Sequence, residues 1–417
     1  MEWTNKTIGD IAFVTKLAGF EHTKYIQGNC IHERKDDSFI PLFIGKTVRD
    51  GRIDKNFDWY IPKSIADQLP RSFLKRKCLV LPYVGTIGDL AVFDASYDAL
   101  LGSNIAKIEL NPNCGYSEEF IYYYLKSPRG QAVLLKDEQG GIQKNITMEA
   151  IRNVLLPDVD ENNQRKIVSV LSALDDKIAL NKKMNQKLEA MAKRLYDYWF
   201  VQYDFPDKNG HPYKTTGGKM EYNPTLKREI PAGWDDGVLS DIANITMGQS
   251  PDGASYNEDG EGMIFYQGST DFGMRFPTVR QYTTAPTRFA KKGDILMSVR
   301  APVGAVNIAN TDCCIGRGLS ALNSKLGSLS HLYFLIDVFK KTFENKNTVG
   351  TTFGSITKDE LYALPVVIPD KSVIEQFEKM AKPIFDRQMK LGEESNRLTK
   401  LRDKLLPLLM NGQVEVK

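Results

Sequence analysis

Residues 295–309, Ile295-Leu296-Met297-Ser298-Val299-Arg300-Ala301-Pro302-Val303-Gly304-Ala305-Val306-Asn307-Ile308-Ala309, read as strand, turn, strand. Much earlier the chain repeats the pattern as VLPYVGTIGDLAVFD, Val80 to Asp94. The pleated flanks recur around matched glycines, Gly88 and Gly304, but Arg300-Ala301-Pro302 faces Val84-Gly85-Thr86. A hairpin built twice with a changed turn predicts a shared frame that carries different surface chemistry in each copy.

The repeat extends outward from the hairpin. Trp3 and Asp10-Ile11-Ala12 match Trp234 and Asp241-Ile242-Ala243 at equal spacing, and Gly102 pairs by spacing with Gly318. Residues 140–147, GGIQKNIT, resemble TTFGSIT at 351–357. Each copy then reaches a Pro-Asp boundary, Pro157-Asp158 and Pro369-Asp370, and a long helical pattern. The offset of roughly 210 to 230 residues is far too long for a solenoid, so the unit duplicated is a domain plus a helix. The offset shrinks along the chain, and the second copy is the shorter.

Both helical patterns alternate spacings of four and three. The first runs Ile167, Leu171, Leu174, Ile178, Asn181, Asn185, Leu188, Ala192, Leu195, Trp199. The second runs Ile384, Gln388, Leu391, Ser395, Leu398, Arg402, Leu405, Leu409, with Pro407 expected to bend or end it. Polar residues inside both seams fix register at some cost in stability. Copies related by a two-fold axis place equivalent helices antiparallel. The expected fold is therefore α+β: two duplicated mixed α/β modules separated by two long helices that form an antiparallel coiled coil. The expected segments are a first module over 1–159, a long helix over 160–203, a linker over 204–232, a second module over 233–371 and a second long helix over 372–417. The linker is rich in Gly, Pro and Lys and reads as extended, ordered by contact. Roughly 40 residues of helix at ~1.5 Å each make a rod of ~60 Å.

The 417 residues are 42% hydrophobic and 26% charged, enough apolar material for two or three folded domains. A net charge of +3 makes any nucleic-acid footprint local. The five cysteines include no CxxC and fit reduced thiols in the cytoplasm, while no signal peptide or membrane-length apolar run is present. The sequons at Asn5 and Asn145 then read as chance matches.

Catalytic constellations are missing. Phe43 to Gly51 contains Gly-Lys-Thr, but Ile40 stands where a phosphate-binding loop needs its first glycine. Gly316-Arg317-Gly318 lacks a third glycine, since Ala321 takes that place. No Asn/Asp-Pro-Pro-aromatic run of an amino-methyltransferase occurs, and neither Pro-Asp pair has the acidic-x-lysine strand of a nuclease. Asp158 and Asp370 read instead as helix caps. No catalytic, metal or cofactor residue is expected in this chain.

What remains is a set of basic and amide residues on the divergent loops. In the first module these are Lys46, Thr47, Arg49, Arg52, Lys55, Gln143, Lys144 and Asn145. In the second they are Gln267, Ser269, Arg275, Arg280, Arg288, Arg300 and Arg317. Arg and Lys pair with guanine, Gln and Asn with adenine, and all of them also bind phosphate.

The combination resembles the specificity subunits of type I restriction-modification enzymes. The residues that carry the resemblance are FYQGSTDFGMRFPTVRQYTT, GDILMSVRAPVGAVNIA, GTTFGSITKDELYALPVVIPD and the linker HPYKTTGGKMEYNPTLKREIPAGW. The helix ends YWFVQYDFP and LLPLLMNGQVEV resemble the family's conserved regions, and the first module departs from the usual wording of the hairpin. The resemblance implies two target-recognition domains that each read one half of an asymmetric, bipartite double-stranded DNA target, with the helices setting the gap. It also implies two modification methyltransferase subunits, which use S-adenosylmethionine to methylate adenine N6. Restriction subunits would add ATP- and Mg-dependent translocation and cleavage, with no membrane partner. Three other readings stay open at this level: a partner that fuses methyltransferase and nuclease, a stand-alone bipartite DNA-binding regulator, and a scaffold that binds no DNA.

Overall fold

The computed structural model describes residues 3–85, 87–135, 145–273, 275–348 and 354–416. Gln143 and Lys144 lie outside these residues, as does Thr86. The chain divides into two compact units, Met1–Lys177 with Leu398–Lys417, and Ile178–Arg397. The division falls inside both long helices, Glu161–Tyr196 and Lys371–Met410, rather than at their ends. Each unit therefore holds one sheet-rich module and a stretch of both helices.

In the first unit, strand Cys78–Pro82 sits between Ala91–Phe93 and Ile105–Leu110, and Ala12–Lys16 completes the antiparallel sheet. The run CLVLP is buried throughout because both faces of the strand are covered. Leu79 and Leu81 face the core beneath helix Glu118–Lys126, while Cys78 and Val80 pack with Phe43, Leu74 and Leu101 of a second sheet. That second sheet has the order Tyr60–Pro62, Phe39–Phe43, Ala99–Leu101, Phe73–Leu74, with its central pair parallel.

The second unit repeats this plan. Ile295–Ser298 lies between Val306–Ile308 and Leu319–Ser324, with Ala243–Met247 outermost. Ile295 and Met297 face one core and Leu296 the other. Its second sheet again contains a parallel pair, Met263–Tyr266 with Cys313–Ile315.

Strand register now sets the equivalences residue by residue. Ile105 pairs Pro82 as Leu319 pairs Ser298, which makes Val84 the counterpart of Arg300. Val84 bridges to Asn145, and Arg300 bridges to Ser355. The carboxylates of Asp10 and Asp241 accept the N–H of Thr7 and Val238, at 2.7 and 2.8 Å. Gly88 and Gly304 both hold positive φ, 86° and 85°, at the same place in the hairpin. One equivalence read from spacing is corrected. Gly102 donates to the Phe43 carbonyl at 2.6 Å, as Gly316 does to that of Tyr266 at 2.8 Å, so Gly316 and not Gly318 is its counterpart.

The helix entrances differ from expectation in one place. Asp370 caps its helix by accepting the N–H of Ser372 at 2.8 Å. At the other entrance the cap is Asp160, which accepts the N–H groups of Asn162 and Asn163; Asp158 lies too far upstream of Glu161. Pro407 does not stop its helix at once, because the helix runs on to Met410, and Pro383 is also accommodated inside it. The linker is ordered by contact but folded rather than extended. Met220–Asn223 and Arg228–Pro231 form a hairpin, and Phe205 stacks between Trp234 and Tyr213 at 5.0 and 4.7 Å. All five cysteines are free thiols. Among the described residues no helix is long and apolar enough to cross a membrane.

Candidate nucleic-acid interface

Within each unit the two long helices pack against each other. In the first, Ile167 and Leu171 are buried with Leu406, Leu409 and Met410, and Arg402 Nη1 meets Asp175 Oδ1 at 2.8 Å. Burial works against the Arg402 charge, but hydrogen bonds to Asp175 and Asp403 outweigh it and raise its pKa. In the second unit, Asn181 Nδ2 donates to Glu394 Oε2 at 2.9 Å, and Gln388 Nε2 to the Asn185 carbonyl at 3.2 Å. As position advances along one helix it recedes along the other, so the pairing is antiparallel. Leu391 is buried, whereas Leu174, Ile178, Leu188, Leu195, Leu398 and Leu405 are half-buried. Where the expected seam of the second helix begins, Phe385, and not Ile384, takes the buried place. Its ring packs on Tyr333 and Phe334 at 5.5 and 5.7 Å. The acids Asp175, Glu189 and Glu394 complete the polar seam and were missed because an acid in a heptad reads as a solvated face.

The loop candidates sort into three groups. Some are structural, which corrects their assignment to a DNA surface. Thr47 is buried, and its hydroxyl accepts the Ile44 N–H at 2.9 Å to close a 3-10 turn, Gly45–Thr47. Arg275 is only 4% exposed. Its guanidinium lies in the corner made by the perpendicular rings of Tyr333 and Phe385, 4.6 and 4.8 Å from their centroids, and bonds Glu189 and Gln388. A cation in so dry a place is held by its anionic partner and ring faces and is unavailable to DNA.

A second group is exposed but engaged. Lys46 pairs with Asp58 at 2.6 Å, Lys55 lies over Tyr97, and Arg280 is tied to buried Asp271. Arg52 donates to the Asp175 carbonyl at 3.2 Å. Asn145, in the bridge to Val84, and Ser269, which opens a 3-10 turn over Ser269–Asp271, are half-buried.

The third group is exposed with no side-chain partner among the described residues: Arg49, Arg288, Arg300 and Arg317. Arg317 belongs to a built corner. Gly316 and Gly318 press on the Gln267 backbone and side chain, so closely that an added Cβ would sit 2.6 and 2.7 Å from its atoms. Gln267 and Ser250 exchange hydrogen bonds at 3.0 and 3.1 Å, and the Arg317 N–H donates to Ser250 Oγ at 3.2 Å. The Gly-x-Gly is thus a tight turn that presents one arginine beside an exposed amide. Ser250 was not singled out from sequence, because one serine in a loop carries no signal. In the first module Ile44 and Ser103 take the places of Gln267 and Arg317. Among the described residues no group of three or more His, Cys, Asp or Glu is placed to hold a metal.

Comparison with known proteins agrees with this duplicated frame. Residues 1–190 and 231–403 match the type I restriction modification DNA specificity domain. A putative type I restriction enzyme MjaX specificity subunit of Methanocaldococcus jannaschii is 27% identical over 402 residues, 92% of this chain and 89% of that protein. The HindI specificity subunit of Haemophilus influenzae is 23% identical, covering 67% of this chain and 73% of its own. In fold the chain is similar to the crystal structure of a type I restriction-modification S subunit from M. genitalium. The TM-score is 0.58 at 17% identity, with 98% of this chain and 96% of that one covered. The chain therefore belongs to the type I restriction modification DNA specificity domain family, as a specificity subunit with two copies of the recognition module.

Proposed function

We propose that this subunit reads an asymmetric, bipartite double-stranded DNA sequence, one half with each module, and does no chemistry itself. Two methyltransferase subunits dock on the long helices and carry S-adenosylmethionine to adenine N6. Restriction subunits supply ATP- and Mg-dependent translocation and cleavage. The helices set the gap between the half-sites.

The observation that carries this reading is the corner Ser250–Gln267–Arg317, where Ile44 and Ser103 take the places of Gln267 and Arg317 on the frame of the first module. Equal frames with unlike corners are what two different half-sites require. A guanidinium reaches guanine O6 and N7 together, an amide reaches adenine N6 and N7, and each such contact contributes ~1–3 kcal/mol. Arg49 in the first module and Arg288 in the second, both exposed, suit phosphate contacts that give affinity and salt dependence. Adenine must leave the stack to be methylated, so the bound DNA is distorted locally.

The test is methylation by the full chain with its methyltransferase on a library randomised in both half-sites. Arg317→Ala and Gln267→Ala should relax the base preference at positions of one half only. Equal loss at both halves, or an unchanged preference, would defeat the assignment.

A further inference from the structure

Two loop arginines that suggested DNA contacts turn toward the long helices instead, one in each unit. Phe43 and Tyr266 end equivalent strands, and Arg52 stands as far beyond Phe43 as Arg275 stands beyond Tyr266. Arg52 Nη2 donates to the Asp175 carbonyl at 3.2 Å and lies 3.6 Å from the Asp176 carboxylate. Arg275 Nη2 bonds the Glu189 carboxylate and Gln388 Oε1. Asp175, Asp176 and Glu189 all belong to the first long helix.

Neighbouring contacts fasten the same loops. In the first unit the Gly51 N–H donates to Asp89 at 3.0 Å. Gly51 also lies so close to the Tyr122 hydroxyl that a Cβ there would approach it to 2.3 Å. In the second unit Phe276 packs on Gly392 of the second long helix, where a Cβ would come within 2.2 Å of its ring. The Asn307 amide clamps Gly273 through both its N–H and its carbonyl, at 3.1 and 3.0 Å.

We propose that Arg52 and Arg275 are duplicated latches: positioning residues that register each recognition loop against the long helices and do not read DNA. The inference rests on the bipartite reading above and deepens it. A loop pinned to the helix holds its base-reading side chains at a fixed distance from the seam, so the latch is where the gap length is transmitted to the reading surface. Arg275, buried against two rings, is the rigid latch; Arg52, exposed, is the looser one.

The experiment assembles the full chain with its methyltransferase and scores methylation on DNA carrying the native gap, or one base pair more or less. Arg275→Met and Glu189→Gln should each raise methylation at off-length gaps, relative to the native gap, by about tenfold, the scale of a small misplacement. Arg275→Lys keeps the charge without the fork and should give an intermediate ratio. Arg52→Met, at a site exposed enough to spare folding, should relax gap tolerance more weakly. Base preference at both half-sites should stay as in the wild type. A fall in total methylation with an unchanged gap ratio would make the arginines merely structural, and loss of preference at one base would make them readers; either overturns the latch. If the wild-type complex methylates no interrupted motif, the bipartite reading itself fails.

Discussion

Val84 and Arg300 hold the same place in two copies of one frame: each follows its hairpin strand and bridges, through the backbone, to the residue before an Ile-Thr helix cap. The next N–H groups confirm the match, Ile146 donating to Tyr83 and Ile356 to Val299, at 2.9 and 3.0 Å. The frame spends its hydrogen bonds on the backbone, which leaves the side chain free to differ. In one copy it is apolar, and in the other it is an exposed guanidinium.

Arg300→Ala should therefore leave folding untouched and weaken DNA binding by about 1–3 kcal/mol, the scale of one good arginine contact. Titration of labelled target, with thermal unfolding as control, measures both. The loss should fall on variants of one half-site only.

Gly304→Ala should be costly where Arg300→Ala is not. Its φ of 85° is a left-handed conformation that disfavours a side chain, and a Cβ would stand 2.6 Å from the Phe343 ring. A loss of about 1–3 kcal/mol in chemical denaturation is expected. An unchanged midpoint would show that this turn tolerates a side chain.

His331 gives a pH signature to the second unit. The ring is buried against Phe200 and Tyr196, and desolvation pulls its pKa down to about 3. The unfolded chain, with an ordinary histidine, binds a proton below about pH 6.5 while the folded chain does not. Stability should therefore fall as pH drops from about 6.5 toward 3, by up to about 1.4 kcal/mol per unit from this group. His331→Phe should flatten that part of the denaturation profile; an unaltered slope would place the dependence on other groups.

The duplication and the antiparallel helices were legible because they rest on periodic signals: matched glycines, the Trp and Asp-Ile-Ala spacing, and the heptads. Local chemistry was less legible. Asp160 rather than Asp158 caps the first long helix because the cap is set by where the backbone turns, which no spacing records. Gly102 matches Gly316 because the second copy is shorter between the hairpin and the next strand, so equal spacing misled by two residues. Arg275 looked like every other loop arginine. Its burial depends on Glu189, Tyr333 and Phe385, which come from three distant parts of the chain. Arg317 was singled out, but the corner that makes it specific needed Ser250 and Gln267 beside it.

The central claim is that two modules read two half-sites at a separation the helices fix. Its most direct test maps N6-methylated adenines in DNA from cells that express the methyltransferase with the full chain. The same mapping is made with a version shortened by one heptad in both helices, and with no chain. The account predicts one asymmetric interrupted motif, whose halves are unchanged and whose gap contracts by about three base pairs on shortening, from ~1.5 Å per helical residue and ~3.4 Å per base pair. Methylation that persists without this chain, or a gap that ignores the shortened helices, would contradict it.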